Sequence, residues 1–135
     1  MNQLSTLLAG AVLAAAAATA HAGNVLVVLS DADQLDLKDG KVFSTGFYLN
    51  ELTQPVRMLI AAGHQVTYAT PKGRAPTLDQ GSVDAMYFGG DAKLLKEHLA
   101  FLAGLDLTSK TASPVISLAR VEQIGYARYD AVYIP

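Results

Sequence analysis

The chain contains no cysteine and no tryptophan. Without cysteine it has no disulfide, no thiolate nucleophile and no thiol ligand for a metal, so this part of the fold must rely on packing alone. An excess of charge of either sign is also lacking: 10 Lys and Arg stand against 12 Asp and Glu, spread along the 135 residues. The basic stripe that nucleic-acid binding needs is absent, and no nucleic-acid partner is expected. No Gly-x-Gly-x-x-Gly, P-loop or Gly-x-Ser-x-Gly occurs, so nothing points to a dinucleotide, a nucleotide or an activated serine. The few histidines form no His-x-x-x-His pair, and no metal or other cofactor is expected.

A long hydrophobic run is missing too. Leu7 to Ala20, mostly alanine, spans 14 residues, short of the roughly 20 needed to cross a bilayer. It ends at Ala20-His21-Ala22, which fits a small-x-small cleavage site. The start Met1-Asn2-Gln3 supplies no Lys or Arg, so an alanine-rich helix packed on the domain is the competing reading. The expectation is that residues 1–22 are a signal peptide and 23–135 the folded part. The protein is then exported, most simply to a bacterial periplasm, with no membrane attachment after cleavage.

What remains reads as alternating strands and helices. Val25 to Leu29 is a continuous β-branched and apolar run, the pattern of a strand covered on both faces. Ser30 to Ser44 reads as a polar loop carrying Asp31, Asp33, Asp36, Asp39 and Gly40. A helical stripe of Leu52, Val56, Leu59 and Ile60 predicts a helix from about Gly46 to Ala62, stopped by Gly63. Gln65 to Ala69 is a second strand, which completes a βαβ unit. Asp91 is placed to cap a helix running to about Ala103, with Leu95, Leu99 and Leu102 inward. Ser113 to Arg128 has the weakest pattern, with Val121 and Ile124 marking a short helical turn. Ala131 to Ile134 is a third strand. Three parallel strands with helices on their faces make an α/β layer. Such a layer leaves Val132 and Ile134 exposed and a sheet edge unpaired.

Four segments, in order, carry a resemblance: Thr45-Gly46-Phe47-Tyr48-Leu49-Asn50-Glu51-Leu52-Thr53-Gln54-Pro55, Ala69-Thr70-Pro71-Lys72-Gly73, Asp79-Gln80-Gly81-Ser82, and Tyr129-Asp130-Ala131-Val132-Tyr133-Ile134-Pro135. Together they resemble the ThiJ/PfpI family of the class I glutamine amidotransferase-like superfamily, nearest its branch of heat-shock-type glyoxalases and holding chaperones. The resemblance implies a doubly wound, flavodoxin-like parallel sheet, seen here in part and truncated after the third strand. In that family the Tyr-Asp-apolar-Pro strand runs into a Gly-Gly turn, and a nucleophilic cysteine follows some tens of residues later. The expectation is therefore the N-terminal part of a cysteine-dependent domain, inactive without its nucleophile.

Glu51 is the catalytic residue that the resemblance implies, in a Thr-Gly-x-x-x-x-Glu segment matched by Thr45, Gly46 and Glu51. A carboxyl group beside a thiol can stabilise the thiolate as a donor or shuttle a proton during attack on a carbonyl. Pro55 adds a local argument: its missing N–H is the one that would bond the Glu51 carbonyl, so the helix should open there. The competing reading is a solvated glutamate favoured by the helix dipole.

Other residues carry less. His64 reads as a surface residue at a turn and His98 as a half-buried packing residue. The aspartates of 31–39 resemble a calcium loop, but their spacing fails and Val42 stands where the closing glutamate belongs. Ser44, Ser82 and Ser117 have no activating neighbour. Asp79 and Ser82 read as a structural clamp made by side chain to backbone hydrogen bonds.

For an intact parent the resemblance implies a cofactor-free glyoxalase acting on a small aldehyde such as methylglyoxal and yielding lactate, with a stress-response role and room for a homodimer. An amidase or peptidase of the same superfamily is an alternative, as is a non-catalytic holding chaperone or binding module of the cell envelope.

Overall fold

The computed structural model of the protein describes residues 21–135, so nearly all of the expected signal peptide, residues 1–22, lies outside the described residues. Among those described, no helix is long and apolar enough to cross a membrane.

The elements in chain order are β1 (Asn24–Val28), β2 (Gln34–Asp36), β3 (Val42–Ser44), α1 (Leu49–Ala61), β4 (Gln65–Thr70), α2 (Ala92–Gly104), β5 (Ile116–Ser117), α3 (Leu118–Ile124) and β6 (Ala131–Tyr133). Four of the strands form one parallel sheet in the order β5-β4-β1-β6. The fold is α/β, a partial flavodoxin-like sheet flanked by helices. β1 lies between β4 and β6, and Leu26 and Val27 are buried on its opposite faces, which accounts for the unbroken apolar run.

The sheet has one strand more than the three expected. β5 is two residues long and pairs Ile116 and Ser117 with Ala69 and Thr70. A strand this short carries no periodicity to read. The expected loop Ser30–Ser44 is a second correction: β2 and β3 pair antiparallel as a hairpin, with Leu35 opposite Phe43. Its turn places both Asp39 (φ 65°) and Gly40 (φ 70°) in the left-handed region, which Asp and Gly tolerate best. Leu35, Leu37, Val42 and Phe43 are all exposed on it.

α1 starts three residues later than its pattern predicts. Phe47 is drawn into extended pairing with the segment after β4: its N–H donates to the Thr77 carbonyl (2.9 Å) and its carbonyl accepts from Asp79 (3.0 Å). A β-carbon on Gly46 would stand 2.1 Å from the Thr77 carbonyl oxygen, so only glycine fits there. The far end is as expected. Gly63 has φ 87°, and the N–H groups of Gly63 and His64 donate to the carbonyls of Ile60 and Leu59, a Schellman motif. Leu49, Leu52 and Val56 form the buried stripe, whereas Ile60, in the last turn, is exposed. At α2 the Asp91 carboxylate accepts from the N–H groups of Lys93 and Leu94, the expected cap.

α1 and α2 lie on one face of the sheet. Their core joins Val25, Val27 and Tyr68 to Leu49, Leu52, Val56 and Leu102. A polar link crosses it. The Thr53 hydroxyl donates to the Leu49 carbonyl (2.6 Å), so the 2.7 Å contact with His98 Nδ1 must be donated by the imidazole. α3 covers the other face, where Leu26, Ala69 and Val121 are the buried cluster. There Val132 keeps 58% of its surface exposed, and Ile134 just beyond β6 keeps 71%. β6 pairs with β1 alone among the described residues, so the apolar surface and open edge expected from the sequence are present.

Candidate functional site

In an open parallel sheet, ligands bind outside the carboxyl ends of the strands where the strand order reverses. The chain moves outward from β1 to β4 and β5, then returns past β1 to β6. The reversal therefore lies between β1 and β6. α1 begins at that end of the sheet, with Glu51 in its first turn.

Pro55 lies inside α1 and the helix continues through it to Ala61. The Glu51 carbonyl, denied its usual donor four residues on, accepts a 2.5 Å hydrogen bond from the Tyr133 hydroxyl of β6. The structure thus supplies from another element the donor that proline removes. This bond ties the first turn of α1 to the strand across the crevice. Burial, and then the Glu51 carboxylate, raises the pKa of the Tyr133 phenol.

The N-terminus of α1 is capped from a distance. Tyr48, at the cap position, provides no side-chain bond. Instead Ser82, fully buried, accepts from the Leu49 N–H (2.9 Å) while donating to the Asp79 carbonyl (2.6 Å). The Asp79 carboxylate accepts from the Gly81 N–H (2.8 Å). Asp79 and Ser82 form the clamp expected of them, and the clamp holds the start of α1. Tyr48 meets Tyr87 edge to face with ring centroids 5.6 Å apart. The Tyr87 phenol, then the Asp79 carboxylate, raises the pKa of the Tyr48 phenol, and Glu51 adds a smaller push. In the same turn the Asn50 amide oxygen is buried without a partner.

Glu51 itself is exposed, and its carboxylate takes part in neither ion pair found among the described residues. It is a solvent-accessible carboxylate at a helix N-terminus, close enough to the Tyr133 and Tyr48 phenols to raise their pKa values. Such a group can accept or deliver a proton to a ligand in the crevice. It is not a buried carboxyl. A groove of about 500 Å³ opens between the β2–β3 hairpin and Thr77–Gly81, with Asp33, Phe43 and Asp79 on its walls; Glu51 does not line it.

Four of the remaining sequence candidates, Ser117, Asp31, His64 and His98, hold parts of the fold together. Ser117 caps α3 by accepting from the Arg120 N–H (3.1 Å). The Asp31 carboxylate accepts from the Lys72 N–H (2.7 Å) and faces Arg74 at 3.9 Å, joining the end of β1 to the end of β4. No cluster of metal-ligating side chains occurs among the described residues. His64 does more than sit at a turn: its Nδ1 accepts from the Gly23 N–H (2.9 Å), anchoring the start of β1. His98 is only 5% exposed, more buried than expected. Burial, then Arg57, lowers its pKa, with Glu97 opposing.

Sequence reasoning missed Tyr133, Tyr48 and Tyr87. A signal for Tyr133 existed. Pro55 frees the Glu51 carbonyl, and Tyr133 is the one residue of Ala131–Pro135 whose side chain can donate a hydrogen bond. No family model matches this chain, and no curated protein is significantly similar to it.

Proposed function

We propose that residues 23–135 are the N-terminal part of a ThiJ/PfpI-like domain and that Glu51 is the acid–base residue of its site. The observation that carries this reading is the position of Glu51. It lies at the start of α1, beside the reversal of strand order, and is joined through its own carbonyl to β6. In the intact form a cysteine thiolate adds to the aldehyde carbon of methylglyoxal, giving a hemithioacetal. Glu51 takes the proton from that carbon and returns it to the neighbouring one, and water releases lactate and the thiol. The thiol is not among these 135 residues. The chain alone is inactive in this reaction, and its leader directs it to a periplasm. No cofactor takes part.

The test is to follow the reading frame past the codon for Pro135, express the longer product and measure methylglyoxal loss and lactate formation. The longer protein should be active and the 135-residue chain inactive. Glu51→Gln should slow the longer protein by about 10²- to 10⁴-fold. A longer protein that ignores aldehydes, or a Glu51→Gln variant at full rate, overturns the reading. A second reading, a holding protein of the cell envelope, draws support from exposed Phe43, Met58 and Val132. It requires the soluble, monodisperse chain to suppress aggregation of a model client, and a chain that precipitates by itself rules it out.

A further inference from the structure

The hydrogen bond between β6 and α1 joins two facts that are far apart in sequence. Pro55 cannot donate to the Glu51 carbonyl, so that carbonyl must take its donor from outside the helix. Tyr133, 82 residues further on, supplies that donor at 2.5 Å. It is half-buried against the α1/α2 core, so its ring is held by packing and its hydroxyl is aimed by that packing. The same phenol senses the Glu51 side chain, whose carboxylate is the second cause of its raised pKa. An ordinary α-helix would satisfy this carbonyl internally and leave the first turn free to shift relative to β6. The pair Pro55 and Tyr133 replaces the internal bond with one that spans the crevice.

We infer that Tyr133 is a positioning residue for Glu51: its hydroxyl, in the place of the amide that Pro55 lacks, fixes the first turn of α1 against β6 and so sets where the Glu51 carboxylate stands. The functional sense of this inference rests on the acid–base reading of Glu51; its physical content does not.

The test is a double-mutant cycle on the 135-residue chain, read by amide hydrogen exchange. The reporter is the Leu52 N–H, which bonds the Tyr48 carbonyl at 3.2 Å. In the Pro55 background, Tyr133→Phe should speed exchange of this amide about tenfold. With Pro55→Ala, residue 55 regains an N–H for the Glu51 carbonyl. Tyr133→Phe should then change exchange less than about twofold. Equal acceleration in both backgrounds, or none in either, overturns the inference.

A second measurement keeps Tyr133 in place. Glu51→Gln should lower the titration midpoint of the Tyr133 phenol, because the carboxylate that opposes its ionisation is gone. Burial should still hold it above the ordinary tyrosine value. An unchanged midpoint shows that the carboxylate does not stand beside the phenol and also overturns the inference. Should Tyr133→Phe fail to fold, recovery of folding by Pro55→Ala supports the same coupling, and failure in both backgrounds refutes it. None of these readouts uses a substrate. A Glu51→Gln variant of the longer protein at full rate would remove the catalytic reading while leaving the coupling intact. A null cycle with full dependence on Glu51 would do the reverse.

Discussion

On the face of the sheet beneath α1 and α2, Val25, Val27 and Tyr68 are buried against Leu49, Leu52, Val56 and Leu102. On the face beneath α3, burial is confined to Leu26, Ala69 and Val121, and Val132 of β6 is largely exposed. The strands feed both faces with residues of the same kind, since β1 alternates Val25 and Val27 one way with Leu26 and Val28 the other. The cover makes the difference. α1 and α2 have 13 residues each and α3 has 7, so one face is roofed along its length and the other only near β4 and β5. A buried-strand sequence is therefore necessary for a two-sided core but does not provide one. The candidate site follows the same division, because Glu51 and Tyr133 meet at the end of the well-covered face.

Core truncation should give the largest effects and break the comparison if it is wrong. Leu52→Ala, at a fully buried position under the longer helices, should lower stability by about 3–4 kcal/mol. Val121→Ala, equally buried in the smaller cluster and removing one carbon fewer, should cost about 1–2 kcal/mol. Urea denaturation measures both. Equal losses, from the smaller truncation at Val121, would mean that the face beneath α3 is packed at least as well as the other.

The smallest expected effect sharpens the contrast by asking how dry the α1/α2 face is. Tyr68 is 6% exposed, its hydroxyl has no partner, and burial pushes its pKa up to about 12. Tyr68→Phe should be neutral at pH 7 or stabilise by up to about 1 kcal/mol, because it removes an unsatisfied buried donor. The pH dependence has a definite sign. An unfolded tyrosine ionises near pH 10 and the folded one only near the higher value. The folded state is thus penalised in between. Its stability is fully present below about pH 10 and falls, on the order of 2–3 kcal/mol, as pH rises towards the folded value. The difference between the parent chain and Tyr68→Phe isolates this loss from that of Tyr48 and Tyr133, whose phenols are also raised. Parallel alkaline curves for the two would show that water reaches the Tyr68 hydroxyl.

Much of the fold could be read from residue patterns. The β1 run, the Leu52–Val56 stripe, the Gly63 stop and the Asp91 cap all act within a few residues of themselves, and the structure bears each of them out. The patterns did not reveal β5, whose two residues become a strand only by lying beside Ala69 and Thr70. Nor did they reveal the β2–β3 hairpin, whose three-residue strands are too short to show alternation against four aspartates. Around the start of α1, the Asp79–Ser82 clamp was legible in its segment, while the phenols were not. Nothing local marks Tyr48 and Tyr133 until the fold brings their phenols near the Glu51 carboxylate, or Tyr87 until its ring meets that of Tyr48.

Pro55 marks the division most clearly. The sequence alone determined that the Glu51 carbonyl would lack its helical donor, because a proline nitrogen carries no hydrogen whatever surrounds it. Only the tertiary structure decided which group answers that carbonyl, because a donor 82 residues away comes within 2.5 Å only once β6 pairs with β1.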